Sequence, residues 1–96
     1  MEIVSIKSKA LKRLILKNDA RLLPTKYVPK IKYLITLLRG FDGIEEFLAM
    51  PKGKPHRLKG DRSDTYSVSV YANWRLTFEH VEEDNSVHIL DFEDYH

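Results

Sequence analysis

Tyr66-Ser67-Val68-Ser69-Val70-Tyr71-Ala72-Asn73-Trp74-Arg75-Leu76-Thr77-Phe78 is the stretch that decides the fold. Its apolar residues recur every second position, the period of a strand with one buried face. Tyr66, Val68, Val70 and Ala72 fall on one face and Ser67, Ser69 and Tyr71 on the other. Asn73 suits a tight turn, after which Trp74, Leu76 and Phe78 share a face opposite Arg75, Thr77 and Glu79. This is a β-hairpin. Upstream, His56 to Lys59 reads as a short strand and Gly60 to Asp64 as a turn. Downstream, Glu83-Asp84-Asn85-Ser86 is a second turn, and Val87 to Phe92 a last strand. Four short strands at hairpin spacing imply an antiparallel sheet with one face in the core.

The period is different before residue 56. Ile3 to Lys7 alternates as one more short strand, which is expected to join the sheet. Ser8 can cap a helix in which Leu11, Leu14 and Ile15 share a face, and Asn18-Asp19 ends it. After the connector Leu22 to Pro24, Thr25 is a candidate cap for a second helix over about residues 26–39. Tyr27, Ile31, Leu34, Ile35 and Leu38 form its apolar stripe, Pro29 is tolerated in its first turn, and Gly40 suits its C-terminal cap. Asp42-Gly43-Ile44-Glu45 has the pattern of a capping box for a short helix burying Ile44, Phe47 and Leu48. Pro51 to Pro55 is a loop by composition. The expected fold is α+β: one domain, 1–96, with a twisted antiparallel sheet of four to five strands and two N-terminal helices packed on one face.

Ninety-six residues, 43% hydrophobic and 31% charged, are enough for one core and too patterned for disorder. The absence of cysteine excludes disulfides and thiolate metal sites. No apolar run has the length of a membrane span, and the start lacks the plan of a signal peptide, so a soluble cytoplasmic protein is expected. The net charge of +2 hides an asymmetry. Residues 1–62 hold fifteen Lys/Arg against six Asp/Glu, a net of +9; residues 63–96 hold only Arg75 against eight Asp/Glu, a net of −7. A basic half is the footprint of a phosphate backbone, or else of lysines that merely solvate helix faces.

Chemistry-bearing residues cluster in the last part of the chain. Arg75 points away from the apolar face of its strand, where it could grip a phosphate or simply pair with Glu79 or Glu93. His56 and Lys59, three apart, offer a proton-exchanging ring and a fixed positive charge, although His-x-x-Lys alone is a weak motif. His80 and His88 read as surface or core-edge residues, and no recognised spacing supports a metal site from His88, Asp91, Glu93 and His96. Asp94-Tyr95-His96 would ordinarily fray, but it follows the apolar Ile89, Leu90 and Phe92 directly. Tyr95 could stack on a nucleobase.

These residues, in this order, resemble the HigB branch of the RelE toxin superfamily. The likeness rests on His56-x-Leu58-Lys59-Gly60-Asp61-Arg62, Tyr66 to Val70, Asn73-Trp74-Arg75-Leu76-Thr77-Phe78 and the ending Glu93-Asp94-Tyr95-His96. It implies a type II toxin that cuts mRNA in the ribosomal A site without metal or cofactor and is neutralised by a helix-turn-helix antitoxin. Operator DNA would be reached only through that antitoxin. The family's active-site positions fall on His56, Lys59, Arg75, Asp94, Tyr95 and His96. The implied chemistry is attack of the substrate's 2′-OH on the adjacent phosphate. His56 or Asp94 would be base, and His96 or Tyr95 acid or orienter; Lys59 and Arg75 would stabilise the charged intermediate. Lys9, Lys12, Arg13, Lys26, Lys30, Lys52, Lys54, Arg57 and Arg62 would hold RNA. One departure is the turn Arg62-Ser63-Asp64-Thr65, which adds an acid and lacks an aromatic beside Tyr66, bearing on codon preference. A non-catalytic RNA- or ribosome-binding module of the same fold would have little reason to keep all six positions. A partner-binding scaffold would not depend on them.

Overall fold

The computed structural model describes residues 1–95. Five strands form one sheet in the order β1 (Glu2–Ile3), β5 (Ser86–Asp94), β4 (Trp74–Val81), β3 (Thr65–Tyr71) and β2 (His56–Arg57). The pairs from β5 to β2 are antiparallel, while β1 lies parallel to β5, so the sheet is mixed rather than wholly antiparallel. Helices α1 (Lys9–Lys17), α2 (Val28–Gly40) and α3 (Ile44–Leu48) supply the apolar residues that pack on the sheet.

Local chemistry sets the helix ends. The Ser8 hydroxyl accepts from the Leu11 N–H at 3.1 Å, and Asn18 closes α1 in the left-handed conformation, φ 51°. The second helix begins later than the spacing predicts. Thr25 to Tyr27 forms a 3₁₀ turn, Thr25 makes no side-chain cap, and Pro29 lies in the first turn of α2. Tyr27 breaks the helical phase because its ring lies flat on Tyr71 of the sheet, with centroids 3.7 Å apart. Gly40 is the last residue of α2 rather than its cap, and the chain leaves at Phe41 in extended conformation. The helix end is satisfied by the Met1 nitrogen, which donates to the carbonyls of Leu38 and Arg39 at 3.1 and 3.0 Å. The expected capping box before α3 does not form: Gly43 is the N-cap and makes no side-chain bond, and the Asp42 N–H donates to Glu46 rather than Glu45.

Leu11, Ile31, Leu38, Phe47, Val68, Val70, Leu76, Phe78, Val87 and Leu90 form the sealed centre of the core. Phe47 meets Phe78 edge-on at 5.0 Å, fixing the short α3 against the middle of the sheet. Two irregularities change which side chains face the core. A register shift between Ser69 and Tyr71, with Ala72 turned to φ 46°, moves Tyr71 onto Tyr27 and places Ala72 in the hairpin turn rather than on the face of Val68 and Val70. On β5, Ile89 at φ 55° is the extra residue of a bulge opposite Phe78. That bulge also explains why the first strand is shorter than the expected Ile3–Lys7. The ladder stops after Ile3, Ser5 Oγ takes the Ile89 N–H at 2.8 Å, and contact resumes only as a single bridge from Ile6 to Leu90.

Candidate active site

The face of the sheet turned away from the core is polar, and strand register determines what lies on it. Cross-strand partners point to the same side of a sheet. Ser67 pairs with His56 on one side and Thr77 on the other; Ser69 pairs with Arg75, and Arg75 with Glu93. His56, Ser67, Ser69, Arg75, Thr77 and Glu93 therefore share one surface. Tyr95 follows Glu93 by one full strand period, and its N–H donates to the Asn73 carbonyl at 2.8 Å. This bond fastens the end of β5 to the β3–β4 turn, so Tyr95 does not fray.

The Ile89 bulge makes this assembly possible. Strict alternation would set Val87 with Asp91, Glu93 and Tyr95, and would put Leu90 and Phe92 with His88. The extra residue resets the phase instead. Val87, Leu90 and Phe92 go to the core side, while His88 pairs with Glu79 and Asp91 with Thr77 on the polar side.

Arg75 is half-buried, and its Nη1 donates to Ser69 Oγ at 2.9 Å. Among the described residues, its Nε and the Ser67 hydroxyl are buried with no hydrogen-bond partner. Orphaned donors of this kind cost free energy unless something accepts from them, and a phosphate oxygen is suited to do so. Neither expected partner of Arg75 pairs with it. Glu93 takes a two-toothed pair from Arg62, with Nη1 and Nη2 at 2.9 and 2.8 Å, and the Thr77 hydroxyl donates to it at 2.5 Å. The Arg62 guanidinium holds the Glu93 carboxyl below its ordinary range against the upward push of burial, with a lesser contribution from the Thr77 hydroxyl. The guanidinium carbons of Arg62 and Arg75 each stand 5.7 Å from the centre of the Tyr95 ring.

His56 is exposed at the outer strand, and its Nδ1 lies 2.8 Å from the Lys54 carbonyl. A carbonyl can only accept, so Nδ1 donates to it, which leaves Nε2 as the ring nitrogen able to accept a proton. The loop is pinned beneath it. Gly53, at φ +85°, accepts from the Ser69 N–H at 2.7 Å. Lys59 is exposed just past Leu58, which is buried and bonded to the Thr65 carbonyl. Asp94 is opposite Trp74 and thus alternates to the other face from Arg75 and Tyr95. The sixth expected position, His96, lies outside the described residues.

The expected RNA contacts divide by type. Lys9, Lys12, Lys26, Lys30, Lys52 and Lys54 are exposed, and Lys26 stands over the Tyr27 ring. The three arginines are committed within the fold. Arg13 binds Asp19, Arg57 bonds the Ser63 carbonyl and stands over Tyr66, and Arg62 binds Glu93. Sequence reasoning missed Ser67, Ser69, Thr77 and Glu93 as site residues, although their polar alternation opposite an apolar face was a usable signal. His88 bonds Ser86, and His80 bonds Asn85. No cluster of three His, Asp or Glu among the described residues could hold a metal ion. A groove of about 380 Å³ adjoins the site on the same face. Asp61, Asp64, Glu79, Asp91 and Glu93 outnumber Lys7 and Arg62 along it, so its net charge is negative and disfavours phosphate.

Comparison with known proteins bears on the family and the fold. Residues 4–96 match the HigB-like toxin family, described as "RelE-like toxin of type II toxin-antitoxin system HigB". The chain is 38% identical over 96 residues to "Endoribonuclease HigB" of Proteus vulgaris, covering 98% of this chain and 99% of that protein. In fold it is similar to the "YoeB/ParE toxin from Agrobacterium tumefaciens", with a TM-score of 0.63 across the whole of both chains at 18% identity.

Proposed function

The chain belongs to the HigB-like family of RelE-like toxins of type II toxin–antitoxin systems, and from that premise we propose that it is an endoribonuclease that cleaves mRNA in the ribosomal A site. The name of the Proteus vulgaris relative supports the nuclease activity. The observation that carries the reading is Arg75, whose guanidinium has no carboxylate partner and whose Nε has no acceptor among the described residues, on the face where His56 stands opposite Ser67. Such a surface is short of an acceptor, and the scissile phosphate is one.

The reaction needs only side chains. His56 Nε2 takes the proton of the substrate's 2′-OH, whose oxygen bonds to the adjacent phosphorus. The bond from phosphorus to the 5′-oxygen breaks, leaving a 2′,3′-cyclic phosphate and a 5′-hydroxyl. Arg75 and Lys59 stabilise the charge on the phosphoryl oxygens. Tyr95 stacks on a base or, with His96, supplies the proton to the leaving oxygen. We assign the base to His56 rather than Asp94, because alternation along β5 sets Asp94 on the opposite face. The exposed lysines of α1 and α2 hold ribosomal RNA while the sheet faces the message. The antitoxin that a type II toxin requires is of helix-turn-helix type and is the link to operator DNA. A nuclease that acts on translating ribosomes works in the cytoplasm.

The test is to map cuts on a defined mRNA with and without translating ribosomes, for wild type and Arg75→Ala. Cuts only on ribosomes, reduced on the order of 100-fold or more by loss of Arg75, are the expected result. Cuts on naked RNA would remove the ribosome from the reading. Folded, ribosome-bound protein that cuts in neither condition would make this a binding module.

A further inference from the structure

The register places Arg75 directly opposite Glu93 on neighbouring strands, on the same face. Cross-strand residues of opposite charge at that spacing ordinarily pair. Here they do not. Both oxygens of Glu93 are occupied, Oε1 by Arg62 Nη1 and Oε2 by Arg62 Nη2 and the Thr77 hydroxyl. Arg75 has instead a single neutral acceptor, Ser69 Oγ, and a buried Nε with none among the described residues.

We propose that Arg62 is a positioning residue that sequesters Glu93 and thereby keeps the Arg75 guanidinium uncompensated for the substrate phosphate. This deepens the function proposed above and rests on its placing of Arg75 at the reacting phosphate. An arginine already neutralised by a carboxylate would stabilise a developing phosphoryl charge poorly, since the carboxylate repels the same charge. Occupying both oxygens needs a planar fork, which arginine has and lysine lacks. The placement of Arg62 serves this arrangement. It ends the 3₁₀ turn Gly60–Arg62, which Leu58 and Lys59 separate from the strand that carries His56. From there it reaches Glu93 across β3 and β4, and its guanidinium stands beside Tyr95, which Arg75 also flanks. Loss of Arg62 leaves two cations at Glu93, Lys7 across the groove and Arg75 directly opposite in register, and Glu93 turns to Arg75.

A mutant cycle on the full chain tests this, with cleavage on programmed ribosomes as the readout and wild type and Arg75→Ala as references. Arg62→Met is expected to lower kcat on the order of tenfold, a cost that shrinks to within about twofold when measured in a Glu93→Gln background. Arg62→Lys, the milder change, should fall between wild type and Arg62→Met. If the cost of Arg62→Met is the same in both backgrounds, Arg62 acts on RNA directly and the proposal is wrong. A second arm does not use activity. Carboxyl NMR titration of Glu93 is expected to show it still held low in Arg62→Met, by Arg75, and released upward in Arg62→Met/Arg75→Ala. Identical titration of Glu93 in those two variants would mean that no exchange of partners occurs. An Arg75→Ala protein that cleaves like wild type would defeat the role given to Arg75 in cleavage, while the titration would still decide whether Arg62 keeps Glu93 from Arg75.

Discussion

Single residues in unusual conformations position the working groups. Gly53 sits at φ +85°, and a Cβ built there would come within 2.7 Å of Val68 Cγ2 and 3.4 Å of the Ser69 carbonyl. Both the backbone angle and the space require glycine. Gly53→Ala should therefore cost roughly 1–3 kcal/mol in urea unfolding, and it should loosen the loop that presents Lys54 and His56. Unchanged stability would mean that the loop is not seated on β3. Proline and glycine marked this segment as a loop in the sequence. That the loop is nailed to the middle strand was not readable, because the clash partner Val68 lies in a different element.

At the scale of elements, the bulge on β5 has the largest consequence. Ile89 is β-branched, in the left-handed region, and 45% exposed, so it pays a backbone cost with little burial in return. Ile89→Gly keeps the extra residue while removing that cost, and should stabilise the protein by about 0.5–1 kcal/mol in thermal or urea unfolding, with cleavage retained. A loss of stability would show that the Ile89 side chain contributes more packing than its exposure suggests. Helices were legible because their signals are local: the Ser8 cap, the Asn18 stop and the Leu11–Leu14 stripe all act within a turn or two. The start of α2 was misjudged because Tyr27 is held by Tyr71, a contact across many residues of chain. The bulges escaped for the same reason. A strand's phase can slip by one residue without any change in its composition.

Across the whole molecule, charge is divided between a basic helical half and an acidic sheet, and two buttressed carboxylates tie parts of it together. Asp19 accepts from both Arg21 and Arg13, which hold its carboxyl far below the usual range, and Glu93 is lowered by Arg62. A carboxylate depressed in the folded state adds stability above its ordinary value, 3.8 for Asp19 and 4.5 for Glu93. That stability is lost as pH falls through the folded values. The melting temperature should thus hold from neutral pH down to about 4.5 and then drop. Glu93→Gln and Asp19→Asn should each flatten the drop in a calorimetric series; an unaltered profile in both would remove these pairs as its cause. The basic half makes a separate prediction. Ribosome association should weaken with added salt, its logarithm falling by roughly 0.7 per phosphate contact for each unit of log salt. A flat response in sedimentation binding would detach the helix lysines from RNA.

The sequence by itself determined the α+β class, the hairpin, both long helices and the family. Periodicity, caps and turn residues are short-range properties, and the family's motifs are contiguous, so one chain read in order contains them. Only the tertiary structure decided which of those residues share a surface. It set Asp94 on the other face, bound Arg62 to Glu93, left Arg75 without its cross-strand partner, and brought Ser67, Ser69 and Thr77 into the site. The physical reason is that facing depends on strand register. Register here turns on two bulges whose position is fixed by packing between distant elements, not by the residues that form them.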